Sequence, residues 1–559
     1  MLLDNKILIG KSNEKELYIL PDKANRHGLI TGASGSGKTI TLKVMAESFS
    51  ADGVPVFLAD VKGDLAGMCK PGVDNEKIQE RLNKLGIANN FNFQSFPTVF
   101  WDVYGESGHP IRTTVSNVGS TILSRMLGLS DAQAGVLAIA FKIAKDAELE
   151  LIDLKDLRLL LQHIGDNRSN FTLSYGNISV QSIGGIQRNI LMLQEQGGDF
   201  FFGEPSIDIN DFLKFSPENG FGNINILHCA ELFKQPNLYS CFMLWILTYL
   251  NQNMPEVGDL DKPKMVFFFD EAHLLFDDMP KYMLTQVTQV VKLIRSKGIG
   301  LYFISQTPND IPNEIQAQLG NRVQHTLRAY TPAEQKIVKA VSASFRANPD
   351  FDTEEAILAL GTGEALVTFL NEKGEPGIVE KVTVLPPQSQ MGTIEDDIRM
   401  EVINTSRFKG KYDEVIDRES AFEKIQAESQ RLEDEKMQME QDMYSSDSYV
   451  TEQNDNKNSG ELDQPNQSKG MFSNNNNNGG MYSIPNNTNT NNNTGNSNPS
   501  NSSGNSNGST RKTATKGRST TTKKKTKSTA EKAFTKTTNS ALTAFGRKLG
   551  NEFFKKLFK

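Results

Sequence analysis

The stretch Gly32-Ala33-Ser34-Gly35-Ser36-Gly37-Lys38-Thr39 fits G-x-x-x-x-G-K-[ST] and constrains the fold more than anything else in the chain. Chance supplies roughly 0.02 such matches in a chain of this length. The apolar run His27–Thr31 enters it and the helix-like Thr39–Ser48 leaves it, the strand–loop–helix setting in which the pattern has a mechanism. Glycines let the backbone curl so that successive N–H groups point inward at phosphate oxygens. The following helix adds the positive end of its dipole. Lys38 is placed to bridge the β- and γ-phosphates, and the Thr39 hydroxyl to sit on Mg²⁺. ATP and Mg²⁺ are therefore the expected ligands of Gly32–Thr39.

Such a loop needs an acid at the end of a neighbouring strand. Met265-Val266-Phe267-Phe268-Phe269-Asp270-Glu271 supplies five apolar residues suited to a central strand, with Asp270 emerging at the carboxyl edge where ligands bind in parallel sheets. Asp270 is expected to hold Mg²⁺ through water, and Glu271 to orient or deprotonate an attacking water. The adjacent acid pair favours hydrolysis over transfer to a small substrate. A second apolar strand ends in Asp60-Val61-Lys62-Gly63-Asp64-Leu65, read as a turn that approaches the site's edge without a catalytic role.

Gln306 closes the strand Leu301–Ser305, where a neutral amide can sense the γ-phosphate. Arg322 and Arg328, six residues apart, would face one side of a continuous strand. One of them, with Arg328 favoured and Arg295 third, is the expected arginine supplied to a neighbouring subunit's site. His273 follows Asp-Glu-Ala, but no second His or Cys stands at ligand spacing, so no metal is assigned to it.

Short apolar runs at Gly28–Thr31, Val54–Asp60, Ile224–Cys229, Met265–Asp270 and Leu301–Ser305, with helical patterns between them, predict an α/β fold. The expected architecture is a RecA-like core whose mostly parallel sheet is covered on both faces. The interval from Asp60 to Ile224 is too long for one crossover. It is read as holding a mostly helical insertion, about 105–220, with a capping box at Ser130–Gln133. Ile7–Leu20 reads as a hairpin, as does Gly363–Val384, and Thr331-Pro332 reads as a helix start.

Composition then divides the chain into a core over 1–395, a charged helical segment over 396–445, an Asn/Ser/Gly/Thr-rich linker over 446–528 and a basic amphipathic helix over 529–559. In the charged segment a sparse stripe of Tyr412, Val415, Ile416, Phe422, Ile425 and Leu432 fits either a solvated helix or a short coiled coil. The linker lacks the aliphatic side chains needed to offset chain entropy and is expected to be disordered. The last helix either docks on the core or meets an anionic lipid surface or a partner. Against a net charge of −7, Arg511–Lys559 alone contributes +13, which leaves −20 on the rest. An anionic partner is therefore met by the tail or by a local patch. Three cysteines, Cys69, Cys229 and Cys241, exclude a cystine scaffold and a zinc ribbon. MLLDNKILIG does not read as a signal peptide, no apolar run reaches the roughly 20 residues of a membrane span, and a cytoplasmic location is expected.

Taken in order, GASGSGKT, DVKGDL, FFFDEAH, ISQTPNDIP and LGNRVQHTLRAYTPAEQ resemble the HerA/FtsK branch of P-loop ATPases. Within that branch the chain most resembles the bacterial HerA-like YjgR family over most of residues 1–395, with Trp101–His109 and Pro255–Asp261 as supporting stretches. The resemblance implies a Walker A loop at Gly32–Thr39, a Walker B Asp270, a catalytic Glu271, a sensor Gln306 and an arginine finger near Arg328. It also implies a homo-oligomeric ring, typically hexameric, with DNA in its pore. HerA proper carries a β-barrel ahead of this core, whereas about 25 residues precede the loop strand here, so roles of that barrel are not carried over. The leading expectation is a ring-forming DNA translocase or helicase. The alternatives are an ATPase that remodels a protein or membrane assembly and a non-motor nucleotide-binding scaffold or kinase, the latter opposed by Glu271 and Gln306.

Overall fold

Along the central strands successive side chains enter two different cores. Leu29, Phe57, Ala59, Phe267, Phe269, Leu301 and Phe303 pack on one face. Ile30, Val56, Leu58, Val266, Phe268, Tyr302 and Ile304 pack on the other. A strand covered on both sides has no use for polar positions, which is why these segments read as unbroken apolar runs. The computed structural model describes residues 1–454 except Asn13, Glu14, Asp278 and Pro280.

Among the described residues the sheet has 13 strands. From the loop strand Gly28–Thr31 its order runs through Ile299–Ser305, Met265–Phe269, Val56–Asp60, Ile224–His228 and Thr98–Asp102 to His109–Pro110, all parallel. On the other side of the loop strand come Asn321–Gln324, parallel, and then Glu364–Thr368 and Glu380–Val384, antiparallel. Lys6–Ser12 pairs with Glu380–Val384 and with Lys15–Ile19, so the expected N-terminal hairpin forms the far edge. The five expected strands are present and parallel. Thr98–Asp102, which sequence reading did not single out, adds a further strand inside the interval from Asp60 to Ile224.

The helix Lys38–Ala51 covers one face with Leu42, Met45, Ala46 and Phe49. The opposite face is covered by Pro236–Asn253 and Lys281–Ile294. Over them lie helices from the stretch after His109–Pro110, notably Val115–Met126, Asp131–Asp146, Leu154–Asp166 and Val180–Glu195. At the start of Asp131–Asp146 the Gln133 Oε1 accepts the Ser130 N–H at 2.9 Å. Thr331 and Glu334 exchange bonds in the same way at the start of Pro332–Ala343.

Residues 396–445 do not form one helix. Asp396–Thr405 ends before a non-helical stretch, and a second helix starts at Ala421. Two side chains account for the break. Phe408 and Tyr412 turn inward against Trp101, with ring centroids 5.2 and 5.7 Å away, and the Tyr412 hydroxyl donates to Asp211 at 2.5 Å. Val415 and Ile416 of the expected stripe are exposed instead. Among the described residues one compact unit runs to Glu433; of the other, residues 434–454, the later part of the helix Ala421–Asn454, are described. The rest of the expected linker to 528 and the basic helix over 529–559 lie outside the described residues. Among the described residues no helix is long and apolar enough to cross a membrane.

Candidate active site

Register sets the site. Thr31 lies opposite Ser305, and Phe303 opposite Phe269. Gly32, Gln306 and Asp270 therefore leave the sheet at one edge, the loop strand and the acid strand being two strand spacings apart, about 10 Å. The acid strand was expected next to the loop strand; Ile299–Ser305 stands between them. The reason is the crossover: the chain returns past Met265–Phe269 to insert the later strand beside the loop, which sets Gln306 between loop and acids.

The loop curls through positive φ at Gly32, Gly35 and Gly37. Gly37 ends it in a left-handed conformation that starts the helix Lys38–Ala51. A Cβ on Gly37 would stand 3.2 Å from the Gly363 nitrogen, and one on Gly32 would stand 2.5 Å from the His325 Cβ. A Cβ on Gly35 would meet nothing within 4 Å, so the open side of the loop lies there. Lys38 Nζ folds back to donate to the Gly32 and Ala33 carbonyls at 2.6 and 3.2 Å. Burial pulls its pKa below the usual lysine value, opposed by the charges of Glu271 and Asp270. Lys38 and the acid pair thus act on one another. Thr39 follows, half-buried, at the second position of the helix.

Asp270 stands half-buried at the strand end. Its Oδ1 accepts the Glu271 N–H at 2.9 Å and its carbonyl accepts the Tyr239 hydroxyl at 3.0 Å. Burial first, and then the Glu271 charge, push its carboxyl up to about 7. Glu271 adopts left-handed backbone, φ 47, a costly conformation for a side chain with a Cβ. Its Oε1 stands 3.6 Å from Lys62 Nζ and its Oε2 3.5 Å from His273 Nδ1.

Gln306 is exposed and lines a cavity of about 290 Å³ with Ala33, Ser34, Thr307 and Arg328. A second cavity of about 460 Å³ runs along Ser34, Gly35 and Ser36 to Arg328 and Tyr330. Arg328 is exposed and lines both cavities beside the loop. Arg322 and Arg328 do not share a strand, because Asn321–Gln324 ends first. Arg322 is spent on the Leu319 and Gln316 carbonyls at 3.2 Å each. Arg295 lies just before the strand Ile299–Ser305, at the sheet edge away from the loop, 3.5 Å from Asp259. Asp60 caps its own turn, accepting the Gly63 and Leu65 N–H groups at 2.7 and 3.2 Å.

Two residues behind the loop carry no local sequence signal. The buried His325 ring bonds the Glu364 carbonyl through Nδ1 and the Thr41 hydroxyl through Nε2, both at 2.9 Å, while its own N–H donates to the Thr31 carbonyl. Gly363 donates its N–H to the Ser36 carbonyl at 3.0 Å, and Ala33 donates to the Thr326 carbonyl at 2.8 Å. Lys62 was likewise passed over, inside a turn read as inert.

The residues present suit a magnesium–triphosphate. The Ser36 hydroxyl is buried with no partner among the described residues, a donor left over for an anion. Asp270, half-buried beside a second carboxylate, is most comfortable next to a dication. Among the described residues no group of three or more His, Cys, Asp or Glu side chains is placed to hold a metal ion.

A mostly parallel sheet carrying this loop, and an acid strand displaced from it by one strand, define a P-loop ATPase. The chain belongs to the Helicase HerA-like C-terminal family, which it matches over residues 5–491. It is similar to the DNA double-strand break repair helicase HerA of Sulfolobus acidocaldarius, 22% identical over 363 residues, covering 64% of this chain and 65% of that one. The protein of the same description from Sulfurisphaera tokodaii is 23% identical over 382 residues, 65% of this chain and 67% of that one. The chain thus spans about two thirds of the length of these relatives. Among solved structures it is similar to the plasmid coupling protein TrwB in complex with a GTP analogue, at 14% identity and TM-score 0.45, covering 69% of this chain and 92% of that one. It is also similar to VirB4 of Thermoanaerobacter pseudethanolicus, at 15% identity and TM-score 0.44, covering 68% and 96%.

Proposed function

We propose that the chain hydrolyses ATP with Mg²⁺ and uses the cycle to translocate on or unwind DNA, working as a homo-oligomeric ring in the cytoplasm. The observation that carries this is the strand register, by which the loop bearing Lys38 and the strand ending in Asp270–Glu271 leave the sheet at one edge. The family and the two relatives named as DNA repair helicases support the DNA part.

Backbone N–H groups of Gly32–Thr39 hold the phosphates, and Lys38 leaves the loop carbonyls to bridge the β- and γ-phosphates. Mg²⁺, held by Thr39 and by Asp270 through water, neutralises charge on the triphosphate when bound. Glu271 accepts the proton of the water that attacks the γ-phosphorus, while the bond to the β-phosphate oxygen breaks. Gln306 hydrogen-bonds the γ-phosphate from the strand between loop and acid. Arg328, supplied to a neighbouring subunit's site, offsets transition-state charge.

The test is ATP turnover of the full chain with and without single- and double-stranded DNA, with oligomer mass measured alongside. Stimulation by DNA that falls steeply with salt, in a multimer, supports the reading. A monomer whose turnover ignores DNA overturns it. Turnover that depends on vesicles and on Ala530–Lys559 favours membrane remodelling instead.

A further inference from the structure

Both oxygens of the Glu271 carboxylate are turned to neighbours. Oε1 faces the Lys62 ammonium at 3.6 Å, and Oε2 faces the His273 ring at 3.5 Å. The carboxylate is mostly covered, its side chain 16% exposed, whereas that of Lys62 is 62% exposed. The direction of the pull follows from strand order. Lys62 stands in the turn after Val56–Asp60, one strand from the acid strand on the side away from the loop. The loop lies two strands away on the other side. A water in line with a γ-phosphate lies on the loop side, so an ion pair with Lys62 draws Glu271 off that line. The φ of 47 at Glu271 adds a second mark of a residue held out of its resting geometry, because relaxing it would swing the side chain.

We propose that Lys62 is a positioning residue that holds Glu271 away from the attacking water and so sets a low basal rate of hydrolysis. This rests on Glu271 being the general base. On this proposal Lys62 acts on the attacking water through the Glu271 carboxylate. A half-exposed ion pair biases such an equilibrium by a modest factor, so its removal raises turnover roughly two- to fivefold.

The experiment compares steady-state kcat and KM for ATP in the full chain and its variants, with nucleotide affinity and thermal unfolding as controls. Lys62→Met is expected to raise kcat roughly two- to fivefold at unchanged KM. Lys62→Arg, which keeps the cation, returns the low rate. Lys62→Met added to Glu271→Gln changes nothing further, because the group it acts through is gone. An unchanged or lower kcat in a folded Lys62→Met protein overturns the inference, and a rise in KM with kcat reassigns Lys62 to nucleotide binding. If the parent does not turn over ATP, or Glu271→Gln leaves its rate intact, the proposed hydrolysis has failed and takes this inference with it. Turnover that needs Glu271 but ignores Lys62 sinks the inference alone.

Discussion

His325 allows a quantitative prediction about what supports the phosphate loop. Its Nδ1–H donates to the Glu364 carbonyl and its Nε2 accepts from the Thr41 hydroxyl, so the neutral ring satisfies both bonds, and protonation would put a charge in a buried site and force the Thr41 hydroxyl to reverse. Burial, aided by the Lys38 charge, lowers its pKa to about 4, while the bond to Glu364 opposes the shift. The folded value lies below the unfolded value of about 6.5. The stability this histidine contributes is therefore complete above pH 6.5 and is lost as pH falls from there towards 4. Between pH 7.5 and pH 5 the loss is about 2 kcal/mol. Absolute stability does not isolate it, because Asp270 and Asp60, held at about 7 and about 6, gain protons in the folded state and shift stability the other way. The comparison of parent with His325→Gln does isolate it. Trp101 and Trp245, the chain's two tryptophans, are both buried in the unit that carries the site. Urea unfolding followed by tryptophan emission therefore reports that unit. The stability gap between parent and His325→Gln should narrow by about 2 kcal/mol from pH 7.5 to pH 5. A gap that stays constant over that range would refute the claim that the ring is neutral and doubly bonded.

Glu271→Gln should bind ATP as the parent does and hydrolyse it about 100-fold or more slowly, read by quench-flow after equilibrium binding. Gly37→Ala forces a Cβ into left-handed backbone against Gly363 and should weaken ATP binding about tenfold by calorimetry. Arg328→Ala subunits should regain turnover when mixed with Lys38→Ala subunits, because a Lys38→Ala neighbour still supplies the arginine; no recovery in the mixture would place Arg328 in cis.

Legibility followed the range of the interactions involved. The loop, the strand entering it and the apolar strand ending in Asp270 were readable because each is written in contiguous residues. Strand order was not, since nothing local says that Ile299–Ser305 slips between Gly28–Thr31 and Met265–Phe269. Arg322 and Arg328 were read as facing one side of a continuous strand, yet pairing ends at Gln324. His325 and Lys62 gave no signal because their partners, Thr41, Glu364 and Glu271, lie far off in the chain. Tyr412 was assigned to a solvated stripe by its periodicity, and only the cluster around Trp101 shows why it turns inward.

The loop strand Gly28–Thr31 is made early, but both strands that flank it, Ile299–Ser305 and Asn321–Gln324, come roughly three hundred residues later. Until they leave the ribosome, the most recognisable stretch of the chain has no wall on either side. The pairing that walls the phosphate loop is thus sequence-distant on both sides, and closing it is a late, long-range step of folding.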